Sequence, residues 1–60
     1  MNINCLVPGD LVRFKDFPSE TAVVVQVYEV IDGTVVDLLD QSGTYLQAHR
    51  IQAFEVVNAA

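Results

Sequence analysis

Two valine-rich segments that flank an Asp-Gly pair constrain the fold of this chain more than any other feature of its sequence. The segments cover residues 22–31 and 34–39, and Asp32 and Gly33 lie between them. β-Branched residues favour strands, and glycine supplies the positive φ that a two-residue type I′ turn requires. The sequence therefore predicts a β-hairpin at the centre of the chain, with Asp32-Gly33 as its turn.

Three shorter segments alternate apolar and polar residues, over residues 11–15, 44–48 and 53–57. In the first, Val12 and Phe14 are expected to point inward. In the second, Leu46 and Ala48 are expected on one face, with Tyr45 and Gln47 on the other. Residues 49–51 are not clearly extended and are assigned a single 3₁₀ turn. The alternative is an amphipathic helix over residues 44–57, although its apolar side chains do not form a clean stripe.

The order of these features resembles that of SH3-like barrels. Residues 8–14 (Pro-Gly-Asp-Leu-Val-Arg-Phe) match the opening of the first strand, and a variable loop, three strands joined by tight turns and a short helical turn follow. The resemblance implies an all-β fold: a five-stranded SH3-like barrel with a short 3₁₀ turn before the last strand, over residues 1–60 as a single domain. SH3-like barrels serve many functions, so the architecture alone assigns none.

A narrower resemblance is to the type II dihydrofolate reductases, SH3-like chains that form tetramers around a pore. Residues 9–13 (Gly-Asp-Leu-Val-Arg) look like the start of their first strand, and residues 46–49 (Leu-Gln-Ala-His) correspond to their pore strand. Only Gln47 matches a functional position, because His49 replaces a tyrosine and Phe14 replaces a lysine. The resemblance implies an alternative function: a small-molecule-binding or enzymatic oligomeric pore, with Gln47 and His49 facing a common channel.

The charge balance bears on the class of partner. Eight acidic residues stand against three basic ones, for a net charge of -5. Nucleic-acid binding, the second alternative for an SH3-like module, needs several cations to neutralise phosphates, so nucleic acid and anionic membranes are disfavoured and a basic protein surface is favoured. No leader or spanning segment is recognisable, which predicts a cytoplasmic protein. Cys5 has no partner for an internal disulfide and is interpreted as a small apolar residue.

No catalytic constellation is recognisable, and we expect a non-enzymatic chain with no cofactor and no metal. The candidate partner surface is Phe17, Tyr45, Gln47, His49 and Arg50, since aromatic residues and arginine are enriched at interface hot spots. The competing interpretation is a solvated turn whose arginine pairs with a carboxylate. The acidic residues of the second half are expected to be solvated turn and edge charges; they are Asp32, Asp37 and Asp40.

The apolar content is high for so short a chain. Hydrophobic residues make up 52% of the 60 residues, and residues 22–27 carry no charge. A long strand that is apolar on both faces is expected to be covered on both, either as a central strand or at an interface. The sequence therefore predicts a protein-protein interaction module, accessory or regulatory in role, that associates with a protein partner and with itself.

Overall fold

The computed structural model describes residues 6–60, which form one sheet of five antiparallel strands. The order across the sheet is β4-β3-β2-β1-β5. The strands are β1 (Leu11–Phe14), β2 (Thr21–Val30), β3 (Gly33–Asp40), β4 (Tyr45–Arg50) and β5 (Phe54–Asn58), and a 3₁₀ helix, Ile51–Ala53, precedes β5. The all-β class and the turn before the last strand are confirmed, and the helix over residues 44–57 is wrong. Cys5 and the first part of the lead-in lie outside the described residues.

One face of the sheet carries the hydrophobic core. Val12 of β1 is fully buried and Phe14 packs against the core, as the alternation in this segment predicts. The buried residues of the core cluster come from four strands, the 3₁₀ helix and the segment before β1: Leu6, Val12, Ala22, Val24, Val36, Leu38, Ile51 and Phe54. We call this the inner face.

The sheet curls until its two edge strands meet on the inner face. The rings of His49 in β4 and Phe54 in β5 lie 6.1 Å apart, and Phe14 of β1 lies 4.7 Å from Phe54 and 6.3 Å from His49. Among the strands that the structure describes, β4 pairs only with β3 and β5 only with β1. Aromatic contacts therefore bring the edges together, and no hydrogen-bonded ladder closes the sheet.

The central hairpin forms where the sequence predicts it, but its turn lies one residue earlier. Val30 pairs with Gly33, so the loop residues are Ile31 and Asp32. Gly33 has a φ of +129° and begins β3. Because this φ is available to glycine at little steric cost, Gly33 allows the chain to leave the turn directly into a strand.

Three β-bulges interrupt the ladders. Val25 of β2 is an extra residue opposite β3, Gln47 and Ala48 of β4 together face Asp37, and Val57 of β5 is extra opposite β1. Ala48 has a φ of +58°, which is the left-handed conformation that many bulges use. With this extra residue, β4 extends to Arg50, and the 3₁₀ turn begins at Ile51 rather than at the predicted His49.

Asp10 ties the C-terminal residue to the loop before β1. Its Oδ1 accepts from the backbone N–H of Ala60 at 2.8 Å, and its Oδ2 accepts from Val7 at 3.0 Å. A turn at Pro8 and Gly9 precedes β1, with a φ of +98° at Gly9. A side chain at Gly9 would come within 3.2 Å of the Ala60 methyl group, so the turn and the C-terminal residue pack closely.

Candidate functional site

A buried carboxylate organises the outer face of the sheet, the one opposite the core. Asp37 lies in β3 between the core residues Val36 and Leu38, and its exposure is only 2%. Oδ1 accepts from the Tyr28 hydroxyl (3.1 Å) and the Ala48 N–H (2.9 Å). Oδ2 accepts from Gln26 Nε2 (2.7 Å) and the Tyr45 hydroxyl (2.9 Å). Each oxygen has two donors, which saturates the acceptor capacity of a carboxylate.

The register explains how the two tyrosines reach Asp37. Tyr28 of β2 is opposite Val35, and Tyr45 of β4 is opposite Leu39. Both positions lie diagonally across from Asp37, two residues to either side along β3, which is within reach of an aromatic side chain. The Asp37 cluster (Gln26, Tyr28, Asp37, Tyr45 and the Ala48 N–H) therefore joins three strands through one side chain.

These hydrogen bonds determine the ionisation of the cluster. The bonds from Gln26 and from the Ala48 N–H lower the pKa of Asp37 from 3.8 to about 2, because they stabilise the charged form. The pKa of Tyr28 is raised by burial and by its bond to Asp37, and that of Tyr45 by its bond to Asp37 and by burial. An ionised carboxylate with every lone pair occupied has no proton to donate, so the cluster anchors strands and is not suited to acid-base chemistry.

The burial of Asp37 corrects the expectation of a solvated edge charge. β3 is an interior strand, between β2 and β4, so its residue 37 faces neighbours on both sides. The bulges at Val25 and Ala48 both fall beside Asp37, and the bulge at Ala48 frees a backbone N–H that the carboxylate accepts. The sequence signal for this burial is an aspartate inside an otherwise apolar strand. The donors that satisfy it are 8 to 11 residues away in sequence, so a local pattern does not reveal them.

An apolar row crosses the outer face beside the Asp37 cluster. Leu11 of β1 is opposite Val23 of β2, Val23 is opposite Leu39 of β3, and Leu39 is opposite Tyr45 of β4. Val23, Leu39 and Tyr45 are 42%, 44% and 45% exposed, and Leu11 is half-buried. β2 is the central strand of the sheet, as one of the two expected alternatives has it, and its inner face is buried while Val23 on its outer face is exposed in the single chain. Coverage of the outer face at an interface stays a prediction.

The apolar row borders a shallow groove with a volume of about 250 Å³. Seven residues line it: Leu11, Thr21, Ala22, Val23, Leu39, Asp40 and Gln41. Gln41 Nε2 donates to the Ser19 carbonyl at 3.2 Å, which joins the β3–β4 turn to the β1–β2 loop.

The structure does not bring the five predicted site residues into one patch. His49 and Arg50 are consecutive in β4 and lie on opposite faces: His49 makes edge-on contacts with the rings of Phe14 and Phe54, and Arg50 reaches Asp32 at 3.6 Å. The bulge reverses the predicted alternation, so that Tyr45 and Arg50, five residues apart, share the outer face.

The other two candidates are exposed. Gln47 is exposed within the β4 bulge, and Phe17 is 64% exposed in the β1–β2 loop. Of the five predicted residues, Tyr45 is the one that belongs to the apolar row. The other residues of the row, Leu11, Val23 and Leu39, were not predicted. Their alignment depends on the register between strands, which the sequence pattern of one strand does not contain.

Two of the three cationic side chains are already paired. Arg13 binds Glu55 at 3.1 Å across β1 and β5, and Arg50 pairs with Asp32. Within residues 6–60, no group of three or more His, Cys, Asp and Glu side chains could hold a metal ion.

In the same part of the chain, no helix is long and apolar enough to cross a membrane. No protein-family model, curated protein or solved structure matches this chain.

Proposed function

We propose that this chain is a non-enzymatic protein-interaction module, and that the apolar row on its outer face is the contact surface. The observation that carries the proposal is the register: four apolar side chains from four neighbouring strands lie side by side, and three of them are close to half exposed. Single exposed apolar residues are ordinary, whereas contiguous exposed patches mark interaction sites.

The Asp37 cluster supports this role by making the row rigid. Tyr45 belongs to both, because its ring lies in the apolar row and its hydroxyl binds Asp37. A fixed side chain loses little conformational entropy when a partner covers it, which favours binding. The buried network also maintains the register that aligns Val23 with Leu39.

The architecture that we propose for the module is SH3-like. The strand order, the antiparallel pairing and the 3₁₀ helix before β5 are compatible with it. The edge strands β4 and β5 approach each other through the rings of His49 and Phe54, as the edge strands of a sheet that curls toward a barrel do. The chemistry of the outer face supports the binding role independently of this assignment.

Site-specific photo-crosslinking tests the function. A benzoylphenylalanine is placed at position 23 or at position 30, and the two forms are expressed in the native host. Val23 and Val30 are matched: both are exposed valines of β2, at 42% and 43%, but only Val23 lies in the row. We expect a discrete adduct from position 23 and none from position 30.

The captured protein is then purified and titrated calorimetrically with the wild-type chain, V23K and V30K. Loss of binding in V23K with unchanged binding in V30K supports the proposal. Equal binding by all three proteins, or failure of position 23 to form any adduct, contradicts it.

A further inference from the structure

The loop between β1 and β2 carries the most exposed aromatic side chain within residues 6–60, which is Phe17 at 64%. The other aromatic side chains have partners in the fold. Phe14 and Phe54 pack with ring centroids 4.7 Å apart, and both tyrosine hydroxyls bind Asp37. A single exposed apolar side chain is ordinary on a protein surface, so the exposure of Phe17 acquires meaning only from the conformation of its loop.

Backbone hydrogen bonds hold Phe17 at the junction of two consecutive turns. Its N–H donates to the Phe14 carbonyl at 3.2 Å, and its carbonyl accepts from the Glu20 N–H at 2.8 Å. Pro18 occupies the second position of the second turn, where its fixed φ favours the turn conformation. The Phe14 N–H donates to the Glu20 carbonyl at 3.1 Å and closes the loop. The backbone that carries Phe17 is therefore fixed, while the ring is in solvent.

The same loop is anchored next to the apolar row. Gln41 Nε2 donates to the Ser19 carbonyl at 3.2 Å, and Gln41 lines the groove together with Val23 and Leu39 of the row. Thr21, where the loop passes into β2, lines the groove as well. A partner that covers the row therefore lies close to the loop, and a side chain on a fixed backbone loses little conformational entropy when it is bound.

The charges around Phe17 bear on the surface that it meets. Asp16 and Glu20 are exposed carboxylates of the loop, and Lys15 is its exposed cation. The loop is therefore negative overall, as is the whole chain at -5. Like charges oppose contact between two copies, and insertion of Phe17 into the groove of a second copy would be a head-to-tail contact that tends to form open chains. These charges favour a different protein with a basic surface.

We infer that Phe17 is a second anchor of the partner interface, and that its ring enters an apolar pocket of the partner whose rim carries lysine or arginine. The inference rests on the proposed function, which it deepens by naming a contact residue outside the row and the chemistry of the surface that receives it. Aromatic side chains that fill pockets are frequent hot spots of interfaces, and rim charges of opposite sign accelerate association.

Photo-crosslinking at position 17 tests the contact, because benzoylphenylalanine is a close analogue of the residue that it replaces there. Position 31 is the matched control, since Ile31 is a fully exposed apolar residue of another loop. In the native host we expect position 17 to capture the same protein as position 23, identified by mass spectrometry, and position 31 to capture none. No adduct from position 17, or an adduct with a second copy of the chain, overturns the inference.

Calorimetric titration of the captured protein measures the contribution of the ring. F17A should weaken binding at least tenfold, F17L should weaken it less, and I31A should leave it unchanged. The urea midpoint of F17A should equal that of the wild-type chain, because an exposed side chain contributes little to stability. Wild-type affinity in F17A overturns the inference, and so does a lowered urea midpoint that accounts for the loss of binding.

Association rates at low and high salt test the basic rim. E20Q removes a carboxylate of the Phe17 loop and should slow association at low salt, with a smaller effect at high salt because the ions screen the attraction. E29Q removes an exposed carboxylate of the central hairpin and should slow association less. Equal effects of the two substitutions contradict a basic rim around the pocket.

The two proposals fail separately. If V23K abolishes binding of the captured protein and F17A leaves it unchanged, the row is the contact surface and the inference about Phe17 is wrong. If V23K leaves binding unchanged, the proposed function is wrong, whatever the effect of F17A.

Discussion

The backbone N–H of Ala48 donates to Oδ1 of Asp37 across 2.9 Å, and this bond joins a bulge in β4 to a buried charge in β3. The bulge leaves the Ala48 N–H without a ladder partner, and the carboxylate satisfies it. The same carboxylate binds Tyr28 and Tyr45, so one aspartate holds the strands on both sides of β3. The composition of the outer face depends on this bond, because the bulge determines which β4 side chains lie on that face.

Replacing Ala48 with glycine should stabilise the protein. Ala48 has a φ of +58°, where an alanine is strained by roughly 1 kcal/mol or more and a glycine is not. After the entropic cost of glycine, we expect A48G to raise the free energy of unfolding by about 0.5 kcal/mol in urea titrations, and A48V to lower it. A53G in the 3₁₀ helix is the control and should be destabilising. A loss of stability in A48G would contradict the strained bulge.

Replacing Asp37 with asparagine should destabilise the chain more than the same change at Asp32. The asparagine amide presents a donor where Gln26 and the tyrosines also donate, so at least one buried bond is lost. D32N removes only an exposed pair with Arg50 at 3.6 Å and should leave the urea midpoint nearly unchanged. Similar midpoints for D37N and D32N would show that the Asp37 cluster contributes little.

Stability should decline in acid through Asp37. Its folded pKa, about 2, lies below the ordinary value of 3.8, so its contribution is complete above pH 3.8 and is lost as the pH falls through about 2. Asp40, whose pKa is also lowered, acts in the same direction. Urea unfolding from pH 7 to pH 2 should show a steeper decline between pH 4 and 2 for the wild-type chain than for D37N. Parallel curves would indicate a carboxylate that titrates normally.

Much of the fold could be predicted from local patterns. The alternation around Val12 and Phe14 and the signal at Asp32-Gly33 locate β1 and the central hairpin, since strand periodicity and turn chemistry act within a few residues. The bulges could not be predicted in this way, because an inserted residue such as Ala48 resembles any other strand residue. One undetected insertion moved His49 to the inner face. The burial of Asp37 depends on contacts with neighbouring strands, and the alternation of residues within one strand carries no information about them.

Two adjacent leucines of β3 test which face is the core. Leu38 is fully buried and Leu39 is 44% exposed on the outer face. L38A should lower the free energy of unfolding by about 3 kcal/mol, which is a large share of the stability of a domain of this size. L39A should change it by no more than about 0.5 kcal/mol. Urea titration at low temperature measures both. Comparable losses would mean that the outer face is also packed, and that the apolar row is not free to bind.

The most direct test of the contact surface is NMR shift mapping of the ¹⁵N-labelled chain as the partner captured through position 23 is added. We expect the largest changes along the apolar row, at Leu11, Val23, Leu39 and Tyr45. Largest changes at residues 30–33 of the hairpin, or at the ring cluster of Phe14, His49 and Phe54, would contradict it.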